Sequence, residues 1–262
     1  MSSHSPLVDA LSVKILPTPK DVAITAADLV EAYLLSVLEK RRTARILLAT
    51  GQSQIDFLTL FTASKQLDWS RLIFFHLDEY LGIMPSHPGS FHYYLYHRVD
   101  KVVHPGKFHY LQGDAIDPIA ECDRYETLLN ADPIDLVMLG VGANGHLGFN
   151  EPNVANLQDP KGVKLVKLAA STRQAQVDQG YFKNIDSAPD YAFTLTIPMI
   201  CSGKKLVCLA SGKAKAMIVE RLLCETVSSD CPATVMRHHP DATLLIDQEA
   251  GSCLSSSCLS NE

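Results

Sequence analysis

The stretch GANGHLGFNEP at 142–152 carries the densest chemistry in the chain. Its three glycines suit unusual backbone angles or close approach of a ligand. His146 and Glu151 stand five residues apart in it, with Asn144 just before them. A carboxylate that holds one imidazole nitrogen leaves the other free as acid or base, so Glu151 is expected to orient His146. A second candidate is Asp78-Glu79-Tyr80, directly after an aromatic run through Phe74 and Phe75. Acidic residues are poor strand formers. A carboxylate partly shielded by aromatics at a strand end can acquire a pKa suited to proton abstraction. The plainer role for such a pair is to open a loop or cap the next element.

Two further segments suit an anion. Thr50-Gly51-Gln52-Ser53 is a small-residue turn of the kind that exposes backbone N–H groups at a helix N-terminus. It is not a GxxxxGK[ST] loop. Ser211-Gly212-Lys213-Ala214-Lys215 places two lysines on an opening helical turn, where cations oppose the macrodipole unless an anion offsets them. Arg173, after Ser171 and Thr172, is a further candidate phosphate ligand.

The elements that must position these groups alternate. Apolar runs at 46–49, 72–75, 134–141, 191–197, 205–210 and 243–247 read as strands, and helical spacing is seen over 27–40, 93–99, 117–130 and 212–223. This alternation predicts an α/β fold: one αβα sandwich, Rossmann-like, with a mostly parallel sheet and helices on both faces. All four chemical segments follow predicted strands, where ligands of open α/β sheets bind, so they are expected to share one site. Residues 1–14 are expected to be a flexible N-terminus, 15–250 the single domain, and the Ser-rich 251–262 a disordered tail.

Composition narrows the partners. The chain has 262 residues and a net charge of -6; with no basic run, nucleic acid and anionic membranes are poor partners. No apolar stretch is long enough to span a membrane, and no secretory signal is visible, so a cytoplasmic location is expected. The seven cysteines form no CxxC pair and read as buried free thiols in a reducing compartment, with neither a disulfide frame nor a metal site.

Taken together, the segments HLDEYLGIMPSHPGSFHYYL, LGVGANGHLGFNEP, LATGQSQ, the STR ending at Arg173, ASGKAKA and CPATVMRHHPDATLLID resemble the glucosamine-6-phosphate deaminase family, which groups with the 6-phosphogluconolactonases. The resemblance spans roughly residues 15–250. It implies a small sugar phosphate as ligand, no cofactor and no metal. The implied reaction opens the ring of glucosamine 6-phosphate, shifts a proton between C2 and C1, and releases ammonia and fructose 6-phosphate. In it Asp78 resembles the C2 base, His146 the ring-opening group and Glu151 its orienting partner. Asn144 stands where relatives have Asp or Asn. Thr50, Gly51, Gln52, Ser53, Arg173 and Lys215 resemble the phosphate cradle, and Glu79 a substrate-binding neighbour.

Some residues depart from the family pattern. Gln52 and Gln54 stand where a small residue and a proline are common, and Thr194–Pro198 replaces a Gly-rich run. The arginine-rich pattern of allosteric hexamers is missing after Pro152, so a monomer or small homo-oligomer is expected. The alternatives are a galactosamine-6-phosphate deaminase, a 6-phosphogluconolactonase, and a non-catalytic sugar-phosphate-binding regulator. Tyr80 in place of Arg, and Leu147–Glu151 in place of a TAS-like run, favour the deaminase over the lactonase.

Overall fold

The computed structural model describes residues 7–255 and 258. In chain order the elements are β1 (Leu7–Val8), β2 (Leu11–Leu16), α1 (Pro19–Lys40), β3 (Ala44–Leu48), α2 (Gln52–Thr62), β4 (Leu72–His76) and β5 (Asp78–Tyr80). Next, α3 (Phe91–Leu95) runs through a π turn into α4 (Lys101–Val103), followed by β6 (Lys107–Phe108), α5 (Pro118–Asn130) and β7 (Leu136–Gly140). The last third holds β8 (Val163–Lys167), α6 (Ala170–Asp178), β9 (Tyr191–Leu195), α7 (Ile197–Cys201), β10 (Lys205–Ala210), α8 (Ala216–Cys224) and β11 (Ala242–Asp247).

The main sheet runs β1-β2-β11-β10-β7-β3-β4-β6. All its pairings are parallel except β1 with β2. The strands are apolar on both sides, as doubly covered parallel strands must be. Ile46 and Leu48 of β3 pack with Val30, Leu34, Phe57 and Phe61 of α1 and α2. Leu47 points the other way, into a core shared with Tyr125 of α5, Ile200 of α7 and Leu222 of α8. α1 starts earlier than residue 27 because Thr18 caps it, accepting from the Asp21 N–H, and Pro19 occupies its first turn.

From β3 the chain moves outward through β4 to β6, then returns to place β7 on the other side of β3 and moves outward again through β10 to β11. The crevice where direction reverses therefore lies between the carboxyl ends of β3 and β7, the usual ligand position in open sheets.

Two sequence expectations change here. The 191–197 strand does not join the main sheet: β9 lies between β5 and β8 in a separate antiparallel sheet. Only Leu77 separates β4 from β5, so the chain leaves the main sheet at once and the Asp78 strand pairs with β9 instead. Tyr80, Val166 and Ala192 of that sheet bury against Phe149 and Phe182. The fold also begins before residue 15: Leu11–Leu16 pairs with β11, and Leu11 and Val13 are fully buried.

The cysteines need a correction too. Cys224, at the end of α8, is disulfide-bonded to Cys258, with their Cα atoms 5.3 Å apart. The pair is 34 residues apart in sequence, and only the fold brings the tail back to α8. Cys122, Cys208 and Cys231 are buried free thiols as expected, whereas Cys201 is half-buried and Cys253 exposed. The rest of the tail beyond 255 lies outside the described residues. Among those residues no helix is long and apolar enough to cross a membrane.

The end of β4 is held by one phenol. The His76 N–H donates to Tyr125 Oη at 2.9 Å, and that hydroxyl faces the carbonyls of His76 and His109 at 3.1 Å each. Tyr125→Phe leaves buried backbone groups unpaired, which costs about 1–3 kcal/mol. Thermal melts should show a Tm lower by several degrees; an unchanged Tm would remove Tyr125 from this role.

Candidate active site

Four loops at the carboxyl edge of the strands enclose a cavity of about 370 Å³. Thr50, Gly51, Gln52 and Ser53 line it from the β3–α2 turn, Asp78 from β5, His146 from the loop after β7, and Lys215 from the turn before α8. The expectation of one shared site holds for these four segments.

The β3–α2 turn needs its glycine. Gly51 has φ +103° and a carbonyl that accepts from Tyr94 Oη at 2.8 Å. A side chain there would be strained. α2 then begins at Gln52, which turns the first amides of the helix towards the cavity. On the opposite turn Lys215 Nζ donates to the Val141 carbonyl at 2.7 Å. Burial lowers its pKa, so an anion is the partner this ammonium lacks. The Gly212 amide is not available to an anion: it donates to both carboxylate oxygens of Asp247 at 2.9 and 3.1 Å.

Asp78 and Glu79 are adjacent, yet strand alternation gives them opposite fates. Asp78 is 7% exposed, lines the cavity, and its carboxylate has no protein hydrogen bond among the described residues. Burial, and then the neighbouring Glu79, push its pKa up to about 8. That is the behaviour of a base poised near neutrality. Glu79 faces away and does not line the cavity. Its Oε1 accepts from the Tyr80 and Phe91 amides, and its Oε2 from Ser90 Oγ and the His92 amide. The expected substrate contact is therefore replaced by a helix cap that ties β5 to α3.

Asn144, not Glu151, orients His146. The Asn144 Oδ1 accepts from the His146 backbone N–H at 3.2 Å and lies 2.7 Å from Nδ1. An oxygen that already faces one N–H must accept from the ring as well, so Nδ1 carries the proton and Nε2 is bare. Burial, then Lys215, holds the imidazole down at about 4, neutral over the working range. The ring lies over Gly142, where any Cβ would come within 2.1 Å of it. Glu151 instead accepts from Thr172 Oγ1 and anchors the loop to α6. Leu147 to Asn150 fold back as a tight turn, with Asn150 Nδ2 donating to the Leu147 and Leu195 carbonyls. This turn carries Glu151 away from His146.

Arg173 does not reach the cavity either. Its guanidinium donates to the Ile185 and Ala188 carbonyls and pairs with Asp190 at 2.7 Å. It holds the 185–190 loop onto α6. The cavity takes Gln176, Gln179 and Tyr181 from this region instead. No residue type or spacing marked those three, because they reach the site only once α6 packs over its mouth. Among the described residues, no group of three or more His, Cys, Asp or Glu is placed to hold a metal ion.

A buried carboxylate, a neutral imidazole and a glycine-containing turn at a helix start line one crevice of a doubly wound sheet, an arrangement suited to acid–base chemistry on a small anionic substrate. Residues 17–245 match the family model for glucosamine-6-phosphate isomerases and 6-phosphogluconolactonases, and the chain belongs to that family. It is 34% identical to the glucosamine-6-phosphate deaminase of Bacillus cereus strain B4264 over 245 residues, 94% of this chain and 90% of that one. The Bacillus anthracis strain A0248 enzyme of the same name matches with the same identity and coverage. A solved monomeric glucosamine-6-phosphate deaminase superposes with TM-score 0.83 at 33% identity, covering 92% of this chain and 99% of that one. The 6-phosphogluconolactonase of Thermotoga maritima shares the fold, at TM-score 0.74 and 17% identity over 91% of this chain and all of that one.

Two outcomes follow from the electrostatics. The Asp78 carboxyl titrates near its ordinary value when unfolded and at about 8 when folded. The native state therefore loses stability as pH rises between those values. Asp78→Asn removes that loss, so its Tm should exceed the parent's by several degrees at pH 8.5 and match it near pH 4. Equal Tm at both pH values would contradict the buried charge. Asn144→Asp places a carboxylate against Nδ1 and favours imidazolium, so the His146 pKa should rise by about 1–2 units. NMR titration of the ring, with the neutral form lost at correspondingly higher pH, checks this; no rise would mean another group orients His146.

Proposed function

We propose that this chain converts glucosamine 6-phosphate and water to fructose 6-phosphate and ammonia. The observation that carries the reading is Asp78: a carboxylate buried in the cavity wall without a protein hydrogen bond and pushed up to about 8. The 34% identity to glucosamine-6-phosphate deaminases over nearly the whole chain supports the substrate.

The chemistry needs two separate proton-handling groups. The C2 proton becomes acidic only after ring opening creates a carbonyl at C1. His146 Nε2, bare and neutral, takes the C1 hydroxyl proton and delivers it to the ring oxygen as the ring C1–O bond breaks. Asp78 then removes the C2 proton and returns it to C1, while an amine proton passes to the C1 oxygen, so that the C1 carbonyl becomes a hydroxyl and the C2 amine an imine. Water adds at C2 and ammonia leaves, which gives the ketose. Thr50, Gly51, Gln52, Ser53 and Lys215 hold the phosphate, so that binding energy remote from the reacting carbons fixes C1 and C2 against their groups. A monomeric assembly is the reading supported by the 33%-identical monomeric deaminase.

Purified protein should release ammonia and ketose phosphate in equal amounts from glucosamine 6-phosphate, and little or none from galactosamine 6-phosphate. Lys215→Ala should raise KM by about tenfold or more with a smaller effect on kcat, because an ion-paired hydrogen bond is lost in ground and transition state alike. Lactone hydrolysis without ammonia release would replace this reading by 6-phosphogluconolactonase activity.

A further inference from the structure

Gln54 is fully buried in the first turn of α2. Its Nε2 donates to the Leu139 carbonyl at 3.2 Å and to Ser53 Oγ at 3.1 Å, while its Oε1 is buried without a partner. The amide cannot be turned the other way, because the Leu139 carbonyl only accepts. The β3–β7 ladder stops at Leu47 and Val137, two residues short of Leu139. Beyond that point the strands part, and the Gln54 amide fills the opening. β7 ends there in Gly140, where a Cβ would sit 3.1 Å from Ser53 Oγ and 3.6 Å from Gln54 Nε2. A side chain there would press on Ser53 at the α2 turn.

The consequence falls on Ser53. Its oxygen accepts from Gln54, so its own hydrogen must be given elsewhere. Among the described residues no acceptor takes it, and Ser53 lines the cavity beside Gly51 and Lys215. A phosphate ester offers only acceptor oxygens at neutral pH. A serine free to rotate would first have to be ordered; here its lone pair is already engaged, and the O–H is left for the anion. The unpartnered Oε1 is the cost of that arrangement.

We propose that Gln54 is a positioning residue that commits the Ser53 hydroxyl to donate to the substrate's phosphate group. This rests on the phosphate cradle proposed above. The test compares wild type, Ser53→Ala, Gln54→Met and the double variant, with inorganic phosphate as the calorimetric probe and KM and kcat for glucosamine 6-phosphate alongside. Gln54→Met should weaken phosphate and raise KM by about tenfold with kcat little changed. In the Ser53→Ala background it should add nothing further to either. Equal losses in both backgrounds, or a loss confined to kcat, would overturn the proposal in favour of a packing role. If Ser53→Ala weakens phosphate and Gln54→Met does not, the cradle stands and the Gln54 role falls. Unchanged phosphate affinity in Ser53→Ala overturns the cradle and this proposal with it. Should Gln54→Met fail to fold, the side-chain amide resonances of wild-type Gln54 serve instead. They should shift on phosphate addition and stay still in Ser53→Ala; identical behaviour in the two proteins would overturn the proposal.

Discussion

The parting of β3 from β7 is the constraint on which the site depends. Two parallel strands that belong to opposite-running halves of one sheet cannot share the helices that follow them, so a gap opens at their carboxyl ends. Their ladder covers only Ile46–Leu136 and Leu47–Val137. The anion turn enters the gap from the β3 side and the histidine loop from the β7 side. Gly140 and Gly142 keep the β7 end bare, so that Ser53 and the His146 ring can sit against backbone. The His146 ring could not lie there past a side chain, and Ser53 would have to give by a few tenths of an ångström.

Around that gap the protein spends stability on desolvation. Asp78 is buried and His146 and Lys215 are half-buried, and desolvation moves each towards its neutral form. Glu79, one residue from Asp78, is also raised by burial, but hydrogen bonds oppose the rise. With four donors around its carboxylate it is a structural anchor. What separates a poised base from a cap is the supply of hydrogen bonds, and adjacent residues of one strand receive different supplies because they face opposite sides.

The second sheet and α6 complete the site from above. Asp78 pairs with Thr194 and Glu79 with Phe193, so Asp78 rides on the small antiparallel sheet, not on the main one. Thr194 Oγ1 also accepts from the Phe149 amide at 3.0 Å, which links the histidine loop to the same sheet. Asp78 and the loop that carries His146 thus both touch β9, while the Thr50–Ser53 and Lys215 turns follow strands of the main sheet.

Much of this was legible in the residues. Alternating apolar runs and helical spacing demand a covered parallel sheet, because each element has a face it must bury. Chemical residues after four such runs demand a shared edge. That Asp78, His146, Lys215 and the Thr50–Ser53 turn meet at one crevice was therefore readable. Partnership was not readable. Glu151 lies five residues from His146 yet bonds Thr172; Asn144 takes its place; Arg173 serves a loop; Cys224 finds Cys258; and Gln54 reaches Leu139 across the sheet. Local sequence determines which groups exist and which element carries them, since propensity and periodicity act over a few residues. Which donor meets which acceptor depends on backbone directions set by long-range packing, and only the tertiary structure decides it.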